Sequence, residues 1–303
     1  MNAANEQPQT GRPVELRRAR ALRDALEPYH LVVIFAPGAK AVFQDIGLDR
    51  PWGPYFAGRT APLGAVPPSV VDAVYYHFDP RLIAAELPHV WAAATPEKLL
   101  ATRLQAADAG LRELLDPERL ASPEIVEAAA LATEAAAACT AAGRPLGGAN
   151  AALPVPAEPH LALWQAATTL REWRGDGHNA ALLSAGLDAV EALVTIVAAG
   201  GEQRRSLQAR RYWSDEVWAA AEQRLVERGL LTGAGELTAQ GRALRDGVED
   251  ATDRLAAAPW QAIGDRGSRR LYELVAPLGA RFAEAFRVTS PIASYPESAA
   301  AAG

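Results

Sequence analysis

Thiols are almost missing from this chain. Its 303 residues include one cysteine, Cys139, within the alanine-rich stretch Ala128 to Ala142. A lone thiol builds no disulfide framework, and nothing around Cys139 has metal-ligand spacing, so a reducing, cytoplasmic setting is expected. Lysine is nearly as scarce: Lys40 and Lys98 are the only two, and arginine supplies the remaining cations. We read that bias, together with the many alanines, as GC-rich coding rather than function. No apolar run reaches the roughly 18 residues of a membrane span, and Met1 to Pro13 is polar, so neither insertion nor secretion is expected. The net charge of −6 excludes a molecule-wide attraction to phosphate and leaves a local basic face as the electrostatic route to nucleic acid. Gly-x-Ser-x-Gly, Gly-x-x-x-x-Gly-Lys and strand-led Gly-x-Gly-x-x-Gly are all missing, which removes support for elbow-type hydrolysis, nucleotide chemistry and hydride transfer.

What is present is helical periodicity. Half the residues are apolar, enough to bury a core in one large or two ordinary domains. Leu16, Ala19, Leu22 and Leu26 recur at helical spacing, and the pattern continues through Glu27-Pro-Tyr-His30 to Ala36 with a kink expected at Pro28. Gly47 to Pro68 mixes five prolines with Trp52, Tyr55 and Phe56, which predicts short turns holding aromatics against a pocket. Thr95-Pro-Glu97 and Ser122-Pro-Glu124 are helix starts, each with a capping hydroxyl, a proline and an acid at the positive dipole end. The Gly/Pro-rich stretch Gly143 to Pro159 predicts a boundary between a helical N-terminal domain, 14–142, and a C-terminal domain, 160–287. In the latter, Leu161 to Trp173 and His178 to Ala199 read as two helices broken by Gly175 and Gly177. Ser214 caps a helix through Arg228 that Gly229 closes. Leu230 to Leu237 predicts a β-wing with a Gly-rich tip, and Thr238 caps a helix from Gln240 to Ala257. Beyond about Ser290 the chain reads as a tail, and no internal repeat is found. The expected fold is all-α, mainly helical, with a small β-wing.

The string Arg-Leu-Val-Glu-Arg-Gly-Leu-Leu followed by Leu-Thr-Ala-Gln-Gly resembles the winged helix of MarR-like proteins over roughly Leu161 to Pro259. More narrowly, Glu27-Pro-Tyr-His30, Ala61-Pro-Leu-Gly64, Arg171 to His178 and Trp213 to Trp218 resemble an actinobacterial family of helix-turn-helix-like proteins of unassigned function. The resemblance implies a winged helix fused to a helical domain, implies a homodimer, and carries no catalytic residues. The terminal helices near Arg242 to Leu255 and Ser268 to Phe286 have apolar spacing that suits either a dimer contact or internal packing.

Charge argues against DNA in this half. From His160 to Trp260 there are eleven arginines and no lysine against fourteen acids. The expected recognition helix opens with Asp215 and Glu216, which would face phosphates, and the wing tip Gly233-Ala-Gly-Glu236 lacks an arginine. Arg204, Arg205, Arg210 and Arg211 form the one basic cluster that would serve a DNA-binding reading, unless they pair with acids such as Glu202 and Asp215.

Two Glu-x-x-His pairs, Glu27 with His30 and Glu86 with His89, have the spacing of di-iron helices, but both are interrupted by proline and no further ligands can be named, so no metal site is assigned. Histidine inside a helix bundle is the plainer account. Haem on His30 or His178 would be noncovalent, because Cys-x-x-Cys-His is missing; the cofactor is left unknown. Arg171-Glu-Trp-Arg-Gly-Asp-Gly-His178 is the densest polar cluster. Arg171 and Arg174 have the fork geometry to clamp a carboxylate or phosphate, and Asp176 could fix the tautomer of His178 for acid–base work. The competing account is a junction network, with Asp176 capping a helix that opens at His178. The preferred reading is a small-molecule-binding protein whose pocket uses Glu27, Tyr29, His30, Tyr55, Arg59, Arg171, Glu172, Arg174, Asp176 and His178. The alternatives are a ligand-responsive regulator on DNA through Arg204 to Arg211, and an enzyme with His178 or Glu27 as catalytic base.

Overall fold

The computed structural model describes residues 13–287 and 292–296. The polar start before Pro13, and the expected tail beyond Ser290 apart from 292–296, lie outside the described residues.

Helix α1 (Val14–His30) buries Leu16, Ala19, Leu22, Ala25, Leu26 and Tyr29, which three- and four-residue spacing puts on one face. Pro28 lies in its last turn without ending it, and the helix stops at Leu31. The apolar stretch continues as the short α2 (Val32–Phe35) and α3 (Pro37–Gln44). Proline then keeps elements short, because it fits a first helical turn but offers no N–H further in. α4 (Gly53–Thr60), a 3-10 turn at Ala61–Leu63 and α5 (Pro68–Tyr75) come next. α6 (Pro80–Ala93), α7 (Pro96–Leu114), α8 (Pro117–Leu120) and α9 (Pro123–Ala137) each open on proline behind a capping side chain. Asp79 accepts from the Arg81 N–H at 2.8 Å and Asp116 from the Arg119 N–H at 2.7 Å, with longer bonds from Lys98 to Thr95 and from Ile125 to Ser122.

The Gly/Pro-rich stretch after Ala142 forms another helix, α10 (Pro145–Ala151), pressed against α11 (Pro159–Ser184). A Cβ on Gly147 would stand 2.5 Å from the Trp173 Cα, so the stretch owes its glycine to close packing. α11 runs unbroken through Gly175 and Gly177, where two helices were expected. A helical glycine costs only about 1 kcal/mol, and a Cβ at Gly177 would collide with the Arg144 guanidinium, which donates to the Trp173 carbonyl from 2.6 Å. The break falls later, at Gly186 in the left-handed region. α12 (Ala189–Ala198) then opens on a capping box of Asp188 and Glu191. α13 (Arg204–Arg211) and α14 (Asp215–Glu227) form a helix-turn-helix pair joined by three residues. Tyr212 turns the corner at φ 68°. Ser214 caps α14, and Gly229 closes it at φ 69°.

The expected β-wing is not formed. Leu231 and Leu237 make a single antiparallel bridge, and among the described residues there is no strand and no sheet. The loop between them closes by the Thr232 N–H on the Glu236 carbonyl at 2.8 Å. Two leucines before a glycine-rich tip and one after it are too few to sustain a two-stranded ladder. The next helix crowds the loop further: α15 (Ala239–Leu255) approaches so closely that a Cβ on Gly241 would lie 2.1 Å from the Leu230 carbonyl oxygen. The architecture is therefore all-helical, completed by α16 (Ala258–Ala262) and α17 (Gly264–Ala285).

Two apolar cores result. The larger gathers α1 to α10, the first half of α11, and Trp260 to Phe282. The smaller joins Ala181 and Leu182 at the far end of α11 to α12, α13, α14, the bridge and Val248. α11 thus belongs to both. α17 places Leu271, Val275, Leu278 and Phe282 in the larger core against α1, so its apolar face is used within the chain. Among the described residues no single helix is long and apolar enough to cross a membrane.

The α1–α17 contact gives a test of sign. Helix propensity alone favours Gly279→Ala by up to about 1 kcal/mol, but the added Cβ would meet the Ala25 carbonyl oxygen at 2.4 Å. We expect G279A to lose roughly 1–3 kcal/mol by urea denaturation; a stabilised variant would mean that the two helices are not in that contact.

Candidate functional site

Between α1, α4, α5, α11 and the end of α13 lies a half-open cavity of about 230 Å³. Helical spacing brings Arg23 and Glu27 to it from α1 and Arg171, Glu172, Arg174 and His178 from α11, while Tyr55 and Arg59 come from consecutive turns of α4. Tyr75, His77 and Phe78 form the aromatic wall.

The fixed point is Glu172, whose side chain is 1% exposed. Arg59 donates to both of its oxygens at 2.7 Å, a fork-to-fork pair. Arg171 adds a third bond at 3.0 Å and reaches Glu27 at 3.6 Å. Burial pushes the Glu172 carboxyl up, but Arg59 and Arg171 outweigh it and hold it well below the usual carboxylate range. Arg59 also donates to the Tyr55 hydroxyl at 2.7 Å and lies 4.2 Å from the centre of the Tyr75 ring. Burial raises the Tyr55 phenol, yet Arg59 and Arg211 together bring it below its ordinary value.

Two imidazoles stack at the same cavity. His77 and His178 have ring centres 6.0 Å apart and planes 21° apart. The Thr252 hydroxyl donates to the Val248 carbonyl at 2.7 Å, so it accepts from the His178 Nδ1–H at 2.9 Å and fixes that tautomer. Burial lowers His178 to about 4 and takes His77 well below its usual value, with the facing His178 adding to the latter. Both rings are neutral at neutral pH. Burial pushes the Glu27 carboxyl up, but the cations around it, Arg171 foremost, together outweigh burial and hold it below its ordinary value. Neither His178 nor Glu27 is tuned toward the neutral range in which a general base works best.

Other expected site residues face elsewhere. Tyr29 is in the core, donating to the His160 carbonyl at 3.2 Å and tilted against Phe282. His30 turns to Thr168 at 3.0 Å, and burial, helped by Arg171, lowers it to about 4. Asp176 does not cap a helix at His178, since α11 is continuous there; it accepts from the Gly147 N–H in the first turn of α10 at 2.8 Å, and burial raises it to about 6. Arg174 reaches the cavity but is held by Asp253 at 2.8 Å, which also binds Arg20 at 2.6 Å. Among the described residues no three His, Cys, Asp or Glu side chains gather as a metal site, so the two Glu-x-x-His pairs are not joined.

The basic cluster divides. Arg204 pairs with Glu222 at 3.3 Å and Asp215 at 3.4 Å, and Arg210 pairs with Glu202. Arg205 is exposed. Arg211 turns inward, its guanidinium 4.3 Å from the centre of the Phe78 ring and beside Tyr55. Its backbone is anchored on the same wall, since the Asp79 N–H donates to the Arg211 carbonyl at 2.9 Å. Trp213, in the turn, donates to the His77 carbonyl at 3.0 Å, and the Tyr76 hydroxyl donates to the Leu187 carbonyl just before α12. Sequence reasoning missed Arg23 and His77 and assigned Arg211 to DNA alone. Arg23 was legible, four residues before Glu27 on the same face; the folding of His77 and Arg211 onto one wall was not.

Two measurements probe this site. Arg59→Leu leaves the buried Glu172 with only Arg171, and should cost about 3–5 kcal/mol in urea denaturation; a loss under 1 kcal/mol would mean that the carboxylate is solvated. The second concerns pH. With His178 near 4 when folded and 6.5 when unfolded, the unfolded chain takes up its proton first, so this stability is lost as pH falls from about 6.5 to 4. His178→Asn should lose less stability over that window than the native protein, by up to about 3 kcal/mol. Asp176 contributes with opposite sign in both proteins and cancels. Identical pH slopes would show that the imidazole is not held neutral.

A family model described as a helix-turn-helix family matches residues 19–289. No curated protein and no solved structure matches the chain. The match covers nearly the whole sequence, both cores included, and the chain belongs to that helix-turn-helix family.

Proposed function

We propose, from membership of a helix-turn-helix family, that this protein is a ligand-responsive DNA-binding regulator, with α13–α14 as the DNA-reading pair and the arginine-lined cavity as the ligand site. The observation that carries the reading is Arg211. It ends the first helix of the pair, yet its side chain lines the cavity, and its carbonyl is bonded to the Asp79 N–H next to the cavity wall. A ligand that contacts Arg211 therefore acts directly on the helix pair. The kinship to MarR-like regulators belongs to this reading. A homodimer of that kind would have to use surfaces other than the apolar face of α17, which is buried against α1.

The outer face of the pair offers Arg205 and Arg210 from α13 and a strip of Ala219, Ala220 and Gln223 from α14, small enough for close approach to a groove. Asp215 and Glu216 are exposed at the start of α14 and oppose phosphate. They favour a second reading, in which the protein binds a small molecule and its helix-turn-helix does not bind DNA.

Selection of bound fragments from the protein's own genome, followed by a salt series on the retained duplexes, decides between them. The regulator reading expects retained duplexes whose log affinity falls linearly with log salt. Arg205→Gln with Arg210→Gln should reduce that slope by about 2 and weaken all sequences alike. If no duplex is retained even at low salt, the second reading holds.

A further inference from the structure

The ligand class follows from the charge that the cavity presents. Five guanidinium groups line it, Arg23, Arg59, Arg171, Arg174 and Arg211, against the carboxylates of Glu27 and Glu172. Behind the wall, Asp24 meets Arg23, Asp253 binds both Arg174 and Arg20, and Glu249 pairs with Arg245. Seven guanidiniums and five carboxylates leave two positive charges in excess, and the stacked imidazoles, held neutral, add none. The excess is not spread evenly. Arg59 and Arg171 are committed to Glu172, Arg174 to Asp253, and Arg23 to Asp24. Arg211 has no carboxylate among the described residues: its neighbours are the Phe78 face and the Tyr55 phenol, and its Nε is buried without a hydrogen-bond acceptor. The Nε of Arg174 is likewise buried and unaccepted. A cavity-lining guanidinium with no carboxylate partner, in a wall carrying two surplus charges, matches an oxyanion with several acceptor oxygens. The space, about 230 Å³, lies below the roughly 300–1,000 Å³ of sites for drug-sized ligands.

We propose that this cavity binds a small oxydianion, a phosphate monoester or a dicarboxylate, and that Arg211 carries it across from the cavity to the helix-turn-helix pair. The proposal rests on the cavity being the ligand site, and not on DNA binding. The backbone at the junction is set for a second position. Tyr76 and Tyr212 both have positive φ, at 62° and 68°, without being glycine, which costs on the order of 1 kcal/mol or more each. Tyr212 is the residue directly after Arg211, and Tyr76 lies directly before His77. A ligand that moves the Arg211 side chain therefore pulls on a turn already held away from its relaxed conformation.

The test is calorimetric titration of the full chain with inorganic phosphate and with succinate at constant ionic strength, with chloride as the reference. Saturable binding of at least one dianion beyond chloride is expected. Phosphate alone would identify a phosphate monoester as the natural class, succinate alone a dicarboxylate, and both a site that reads charge. Arg211→Gln should weaken binding at least about tenfold, Arg211→Lys should fall between that variant and the native chain because it keeps the charge and loses the fork, and Arg281→Gln, on exposed α17 surface, should bind as the native protein does. Tryptophan emission should change on saturation, and the change should shrink in Trp213→Phe. No saturable binding of either dianion, or Arg211→Gln binding as tightly as the native protein, overturns the proposal. Because no duplex is present, failure here leaves the DNA reading standing, and a protein that binds dianions but no duplex loses only the DNA reading.

Discussion

A buried carboxylate in the middle of α11 is the constraint on which the rest of the site depends. Glu172 sits where one helix passes from the larger core toward the smaller, and it cannot stay ionised there unless cations come to it. Arg59 and Arg171 answer that demand from two different helices, and in doing so they fix α4 against α11. The same requirement repeats one turn on, where Asp253 of α15, 1% exposed, collects Arg20 from α1 and Arg174 from α11. The cavity is the space left between these two clamps. Its walls are charged because the clamps that shape it are charged, and its arginines are preorganised because each, apart from Arg211, already has a structural partner.

That arrangement explains why the site is electrostatically uneven. A guanidinium bound on both edges to a carboxylate has little left to offer a ligand. A guanidinium stacked on Phe78 keeps its charge and much of its donor capacity. Arg211 is also the member of the set that stands on α13, a helix of the smaller core alone. The residue best able to hold a ligand is therefore the one attached to the element whose position would matter to a partner.

Much of the fold was legible from local chemistry. The hydroxyl–proline–acid starts at Thr95 and Ser122, the Ser214 cap and the left-handed Gly229 each depend on a few adjacent residues, and each is where the sequence places it. The failures are long-range. Gly175 and Gly177 look like a break, but Gly177 is where the Arg144 guanidinium needs room, a partner 33 residues away. Leu230 to Leu237 has the punctuation of a hairpin, but α15 closes over it through Gly241 before a ladder can grow. In the site, Glu27, Tyr55, Arg59, Arg171, Glu172, Arg174 and His178 line one cavity, whereas Tyr29, His30 and Asp176 turn into the protein. Proximity in sequence had grouped them, and the 100° turn per residue along a helix separates them.

The passage of α11 through both cores has a consequence for motion. The chain leaves the larger core along the far half of α11, builds the smaller core from α12 to the middle of α15, and returns along the rest of α15 to α16 and α17. The helix-turn-helix unit is thus an insertion with two stems, not a bead on a string. A body held at two points can rotate about the line that joins them far more easily than it can translate or tumble. Here the bonds from Asp79 to the Arg211 carbonyl and from Trp213 to the His77 carbonyl add a third hold at the cavity wall, so that a change at the wall is what would free the unit to turn on its stems.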